Sequence, residues 1–426
     1  MHRALRGMKD SLPNDSTLWQ SLEGSAIDIF HKYGYREIRT PILEEKDLFV
    51  KSIGGETDIV TKEMFSFLDR GERDVVLRPE GTAPIVRAYL EANLHKIEPF
   101  QKFYYIGPMF RAERPQAGRL RQFHQIGAEV IGSHSPAVDA EIILLLSSIL
   151  DKTGIRDYKI KLNNLGCHND KIRLSKILKE YFLDKKSILC EDCNNRMDKN
   201  PMRILDCKKD GCRNITKGAL KSADFLCDGC KNHFSGVKEY LKKTPAGIKC
   251  SEDPYIVRGL DYYTSTVFEV SHPALGAQDA VGAGGRYDNL VKDMGGPSIG
   301  AVGFALGIER MLIASAKDCG VLTGLYPPIE VYIATIGEAS RKEAFRILNE
   351  LRSEGIVSDI NYEGASLKSQ MRDANKLKAR FTLIMGDDEL GKSEVVLKNM
   401  RNTEQHTIPF DNLIAKIKEK LKTYSL

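Results

Sequence analysis

The spacing of apolar positions divides the chain into stretches of different character. Between residues 15 and 33, Leu18, Leu22, Ala26, Ile29 and Phe30 recur at helical spacing, and Gly34 stands where a helix stops. YREIRTPIL (35–43) reads as short and extended, since Pro41 has no N–H to give a central strand. VVLRPEGTAPIVRAYLE (75–91) reads as a strand, a tight turn and a helix, with Thr82 as N-cap and Pro84 in the first turn. QKFYYIGPMFR (101–111) and RQFHQIGAEVIG (121–132) read as two long strands joined by a polar, basic loop, AERPQAGRL. A helix follows over about 137–152.

Residues 167–250 break this pattern. Cys190, Cys193, Cys207, Cys212, Cys227, Cys230 and Cys250 crowd together amid dense lysines, the composition of a small inserted domain. Strands resume in IVRGLDYYTSTVFEV (256–270). A glycine-rich turn, GAGGRYDNL (282–290), and a strand running into a helix, GAVGFALGIERML (300–312), come next. The reading is one antiparallel-rich α+β domain, residues 1–325, interrupted by 167–250. After Pro327-Pro328, strand and helix alternate: strands at 326–337, 356–361, 381–386 and 394–398, helices at 338–353 and 366–378, and a last helix from Asp411. That predicts a separate α/β domain over 326–426.

Composition adds limits. The 426 residues are 42% hydrophobic, which suits a globular protein with real cores. The net charge of +5 allows RNA binding by a local basic patch without arguing for it. The longest apolar run, Ile142 to Leu146, falls far short of the ~18 residues a membrane helix needs. MHRALRGMKDSLP has no apolar core of a secretory signal, so a cytoplasmic protein without membrane partners is expected. Nine cysteines, an odd number, then suggest thiols or metal ligands rather than a disulfide framework.

Three places carry unusual side chains. Alternation puts Arg121, Phe123, Gln125, Gly127 and Glu129 on one face of a strand, and His124, Ile126, Ala128 and Val130 on the other. The second set looks like core; the first suits either a polar pocket floor or a solvated face. Arg258 precedes Tyr262 and Tyr263. It is either a snorkelling surface residue or a permanent cation beside a phosphate. Arg310 falls in the first turn of a helix, where free N–H groups favour anions; a surface Glu309/Arg310 pair is the other reading. Cys190-x-x-Cys193 and Cys227-x-x-Cys230 have the half-site spacing of a single structural zinc knuckle. Cys207 and Cys212 are competing ligands, with His168 and His233 as further candidates and metal-free thiols as the alternative.

The order of these segments resembles the histidyl-tRNA synthetase family from end to end. RGMKDSLP (6–13) is similar to its N-terminal signature, and TDIVTKEMFSF with RPEGT (78–82) to the segment opening its histidine pocket. RTPILEE (39–45), FRAERPQAGRLRQFHQIGAEVIG (110–132) and GFALGIERML (303–312) resemble class II motifs 1, 2 and 3. RGLDYYTSTVFEV (258–270) and GGRYDNL (284–290) resemble the two histidine-specific motifs. Gly282-Ala283-Gly284-Gly285 departs from the family's glycine triplet but keeps a small residue.

The resemblance implies a class II antiparallel-sheet catalytic domain with a small insertion, plus a C-terminal α/β anticodon-binding domain. It implies histidyl-adenylate formation from histidine and ATP with Mg²⁺, then transfer to the tRNA for histidine, by a homodimer joined through motif 1. Arg111 and Arg258 would be catalytic on the α-phosphate. Arg310 would hold the γ-phosphate, and Phe123 and Glu113 the adenine. Glu80, Thr82 and Gln125 would receive the ammonium, and Glu129 with Tyr262 or Tyr263 the imidazole, Tyr287 lining the same pocket. Arg114 and Arg119 of the 112–120 loop would reach the tRNA acceptor end. Lys368, Arg372, Lys376 and Lys378 lie on or near one helix expected in the C-terminal domain, either as RNA contacts or as an ordinary solvated face. The alternatives are an inactive paralogue acting as a histidine-sensing regulatory subunit, and a non-catalytic RNA-binding module. The first commonly lacks the C-terminal domain and the phosphate-binding arginines; the second needs no intact ATP and amino-acid site.

Overall fold

The computed structural model describes residues 2–116, 118–207, 209–219, 221–244, 248, 250–319 and 329–423. The chain forms two compact units, Met1–Thr323 and Gly324–Leu426. The Pro327-Pro328 boundary expected from sequence lies outside the described residues.

In the first unit, β1 (Arg36–Glu37) leads to a small antiparallel sheet of β2 (Leu43–Glu45), β3 (Phe65–Leu68) and β4 (Asp74–Leu77). There follow β5 (Gln101–Phe110), β6 (Gln122–Ile131), β7 (Lys159–Asn164), β8 (Cys250–Glu252), β9 (Thr264–Ser271), β10 (Ala280–Arg286) and β11 (Ala301–Gly307). With β1 they build an eight-stranded sheet in the order β1-β5-β6-β11-β10-β9-β7-β8. The pairs from β5 to β7 are antiparallel; the edge pairs β1–β5 and β7–β8 are parallel.

One face of this sheet is aliphatic. Ile126, Ala128 and Val130 of β6 pack there with Phe304 and Leu306 of β11, under Leu22, Ile29 and Phe30 of the Pro13–Lys32 helix. The Pro136–Lys152 helix is buried almost all round, because the first helix and Asp228–Lys242 enclose it; Ser135 caps it by accepting the Ala137 N–H at 3.3 Å. The other face carries the polar groups described below.

Three local expectations are corrected. GAGGRYDNL is not a turn: Ala280–Arg286 is a central strand. Glycine is required there for lack of room, since a Cβ on Gly284 would lie 2.3 Å from the Gly303 carbonyl and 2.5 Å from Phe268. The strand expected to include Tyr262 and Tyr263 begins at Thr264, and both tyrosines sit in the preceding turn. Thr82 is not an N-cap. Gly81 holds that position, and the Glu80 carboxylate accepts the N–H groups of Thr82 at 2.8 Å and Ala83 at 2.9 Å.

The second unit holds a five-stranded sheet of β12 (Val331–Thr335), β13 (Ser358–Ile360), β14 (Phe381–Met385), β15 (Glu394–Asn399) and β16 (Gln405–Pro409). Their order is β13-β12-β14-β15-β16, parallel across the first three. The edge strand β16 was not foreseen. Its QHTIP sequence is polar and mostly exposed, so it carries no apolar alternation to read. Gln370, fully buried on the Leu367–Lys376 helix, donates to the Thr335 carbonyl at 2.7 Å and accepts its N–H at 2.9 Å, tying the helix to β12.

Candidate active site

The polar face of β6 floors a cleft of about 200 Å³. Phe123 and Gln125 line it, as alternation predicts, while Glu129 lies two pleats further along, 1% exposed and not part of the lining. Its place depends on the neighbouring strand. β11 pairs Gly303 opposite Glu129, and a Cβ on Gly303 would stand 1.7 Å from Glu129 Oε2. Only glycine leaves space for the carboxylate.

Around Glu129 the hydrogen bonds close. Thr82 Oγ1 donates to Oε1 at 2.7 Å and the Tyr287 hydroxyl to Oε2 at 2.5 Å. Burial, with Glu80 nearby, pushes the Glu129 carboxyl up to about 8 against the pull of those two donors. Burial also raises Glu80, opposed by the two backbone N–H groups it caps. Tyr262 stands over this corner, its hydroxyl 3.4 Å from Glu80, its ring 4.7 Å from Tyr263 and 5.7 Å from Tyr287. Burial raises all three phenols, so they remain hydroxyl donors at neutral pH. Glu80, Thr82, Gln125 and the three tyrosines therefore share one wall of the cleft; Glu129 supports it from beneath.

Three arginines from distant segments meet at the other end. Arg111 donates its Nε–H to the Pro79 carbonyl at 2.9 Å, its guanidinium 5.3 Å from the Phe123 ring centre and 3.9 Å from Glu113. Arg258 pairs with Glu269 at 2.7 Å, and its buried Nε has no hydrogen-bond partner among the described residues. Arg310, third in the Ile308–Cys319 helix, donates to the carbonyls of Gly118, at 2.9 Å, and Ala280. Burial, then the nearby Arg119, lowers its pKa. Glu309 does not pair with Arg310; it accepts from the His124 backbone at 3.0 Å.

Sequence reading missed Tyr105 of the cleft and Glu269 of the pocket beside it, and gave Arg119 to the tRNA acceptor end. Tyr105 lies over Gly127 and Gly81, whose missing side chains make its berth. Glu269 is the partner of Arg258, and its signal was a carboxylate between Phe268 and Val270 in an apolar strand. Arg119 turns into the cleft and pairs with Glu113 at 2.9 Å, while Arg114 of the same loop is exposed.

This polar corner beside convergent arginines can hold a small zwitterion next to a polyphosphate. A histidyl-tRNA synthetase family profile matches residues 7–180 and 214–311, and an anticodon-binding-domain profile matches 330–420. A histidine–tRNA ligase of Halothermothrix orenii is 48% identical over 98% of this chain and 99% of its own. The chain belongs to the histidyl-tRNA synthetase family.

Apo histidyl-tRNA synthetase of S. aureus is 36% identical with a TM-score of 0.82, covering 98% of this chain and all of that one. An ATP phosphoribosyltransferase regulatory subunit/histidyl-tRNA synthetase of Bacillus halodurans covers 91% of this chain and 98% of its own. At 22% identity and a TM-score of 0.63, it shares the fold. The synthetase is thus an ATP-dependent histidine–tRNA ligase rather than the regulatory alternative, and ATP, histidine and tRNA are its ligands. Among the described residues no helix is long and apolar enough to cross a membrane.

The insertion of this synthetase departs from the expected knuckle. The two Cys-x-x-Cys pairs do not meet: Cys190 and Cys193 join Cys207 and Cys212, whereas Cys227 and Cys230 join Cys167 and Asp170. The pairs open two different helices, Glu191–Lys199 and Asp228–Lys242, and each helix start faces its own neighbours. His168 and His233 enter neither cluster.

Proposed function

We propose that the cleft activates histidine through the following division of labour. The ammonium sits against Glu80, Thr82 and Gln125, and the imidazole against Tyr262, Tyr263 and Tyr287. Glu129 acts through its partners, fixing the hydroxyls of Thr82 and Tyr287. A ring nitrogen that lost its partner there would leave buried polar groups unpaired, which selects against isosteres.

Adenine stacks on Phe123, with Glu113 near its amino group. Arg111 and Arg258 flank the α-phosphate and Arg310 holds the γ-phosphate. A histidine carboxylate oxygen attacks the α-phosphorus in line, and the bond to pyrophosphate breaks as it leaves with its electron pair. The tRNA 3′-terminal hydroxyl then attacks the acyl carbon, loses its proton and expels AMP. Two fixed guanidinium groups meet the charge that grows on the α-phosphoryl oxygens, a contact worth most in the transition state. With Glu113 given to adenine, Glu269 of the adjoining pocket offers a hard oxygen donor of the type Mg²⁺ takes, and it is the residue that would hold the ion. When bound with ATP, that ion supplies charge neutralisation on the pyrophosphate oxygens.

The tRNA acceptor end lies along the 112–120 loop. Lys368, Arg372 and Lys376, exposed at four-residue spacing on the Leu367–Lys376 helix, and Lys378 just beyond face the anticodon stem. A two-fold homodimer forms around residues 39–45, supported by the exposure of Ile42 and Leu43 there and of Phe67 and Leu68 on the same small sheet. The setting is the cytoplasm, and structural Zn²⁺ belongs to the insertion.

The convergence of Arg111, Arg258 and Arg310 beside the tyrosine wall carries this reading. Arg258→Ala is expected to lower the saturated rate of ATP–pyrophosphate exchange by on the order of 10²–10³, with histidine binding retained. A folded variant exchanging at the wild-type rate would remove Arg258 from the catalytic pair.

A further inference from the structure

We infer that the insertion is a two-centre metal module: Cys190, Cys193, Cys207 and Cys212 bind one Zn²⁺ ion, and Cys167, Asp170, Cys227 and Cys230 bind a second.

The donor atoms of each set all lie within 4.8 Å of one another. A tetrahedral ion with Zn–S bonds of ~2.3 Å needs sulfurs roughly 3.8 Å apart. Cys190 Sγ and Cys207 Sγ stand at 3.9 Å, and all seven thiols are free rather than bridged. Spacing alone suggests one shared ion, but the fold assigns each pair separate partners from elsewhere in the chain.

Helix starts bring backbone N–H groups to both clusters. Cys167, Cys190 and Cys227 are each the N-cap residue of a helix, and Cys193 and Cys230 lie in the first turn. The partial positive charge of a helix start suits the negative charge that metal-bound sulfurs would bring. In the first centre the Cys190 backbone N–H also donates to Cys212 Sγ at 3.2 Å. In the second, Asp170 accepts the Cys227 N–H at 3.1 Å and pairs with Arg173, which offsets the negative charge of three thiolates and a carboxylate. Asp170 also accepts the Cys167 N–H at 3.4 Å; three donors on four lone-pair sites leave one for the ion. On binding, the thiols release their protons to solvent and the ion takes their place.

The first centre has a consequence for the cleft. It closes the segment from which Asn200 donates to Asp261 at 2.9 Å and Arg203 to the Gly259 carbonyl at 3.3 Å. These bonds hold the turn bearing Arg258, Tyr262 and Tyr263. From the second centre's side, Lys171 donates to the carbonyls of Asp261 and Tyr263, both at 2.9 Å. The two centres grip one catalytic turn from two directions, as positioning elements.

Elemental analysis of the full chain, purified without chelator, is expected to find about two zinc ions per chain. Cys193→Ser and Cys230→Ser should each retain about one, and the double variant none. A total of one ion, lost equally in either single variant, would mean one shared knuckle and overturn the proposal; no zinc at all would overturn it too. Since buried Cys→Ser changes can impair folding, the wild-type chain gives a second test. Cobalt(II) should load to two equivalents with thiolate charge-transfer absorption rising through both, and seven thiols should become reactive only after chelation. Saturation at one equivalent, or thiols titrating freely before chelation, would contradict two centres.

Discussion

Two buried carboxylates at the head of the cleft show how one side chain's value depends on its neighbours. Glu80 was expected as a ligand, and its carboxylate also accepts the first two N–H groups of the Thr82–Glu91 helix, so its loss would disturb both. Alternation puts Glu129 on the face of Phe123 and Gln125, and the family resemblance makes it an imidazole partner. Alternation gives the face but not the depth, and the two hydroxyls that close over Glu129 come from residues 47 and 158 positions away. The raised Glu129 carboxyl has a thermodynamic consequence. Unfolded, it titrates near 4.5; folded, near 8, so between these values the native state holds one more proton. Stability is therefore full below about 4.5 and falls as pH rises through the folded value, by ~1.4 kcal/mol per pH unit in the interval. Glu129→Gln should remove this slope from the ligand-free protein's denaturation midpoints between pH 5 and 8. A wild-type-minus-variant difference that is flat across that range would show that Glu129 is ionised in the native state. Gly303→Ala tests the same corner by sterics: the added methyl must displace the carboxylate and press on the Ala128 carbonyl, and histidine KM should rise about tenfold in protein whose fold is checked by circular dichroism. An unchanged KM would separate Glu129 from histidine recognition.

At the scale of elements, the legible parts were those in which one physical signal acted alone. The β5–β6 hairpin, the N-terminal helix and most of the C-terminal alternation are set by apolar period, and the structure matches them closely. The strand Ala280–Arg286 was misread because glycine usually marks a turn. Here it marks close packing against Phe268 and Gly303, which a single sequence does not display. The cysteine pairs illustrate the same limit: C-x-x-C spacing is local, while the choice of which pairs meet is tertiary. Arg286, at the end of this strand, adds a buried anchor. It is 1% exposed, donates to Asp139 on the Pro136–Lys152 helix and to the Ser133 carbonyl, and pairs with Asp288 beside Tyr287. Removing one partner strands a buried charge, so Arg286→Ala should destabilise the N-terminal unit by about 3–5 kcal/mol. Urea denaturation followed by tyrosine and tryptophan signals measures this. A loss below about 1 kcal/mol would mean that the pair behaves as a solvated one.

For the whole molecule, the division into two compact units separates activation from tRNA selection. Every residue assigned to histidine or ATP lies before Thr323, so a chain ending near Leu325 should keep adenylation. It should charge tRNA poorly, chiefly through a raised KM, because one of two linked RNA contacts is gone. Equal charging efficiency from a folded, dimeric truncation would refute an anticodon role for residues 330–420. The central claim is that the cleft between the tyrosine wall and the three arginines activates histidine. Its most direct test is ATP–pyrophosphate exchange by the full chain without tRNA, run in parallel with each of the standard amino acids. Exchange should depend on histidine alone; equal exchange with another amino acid, or none with histidine, would contradict the account.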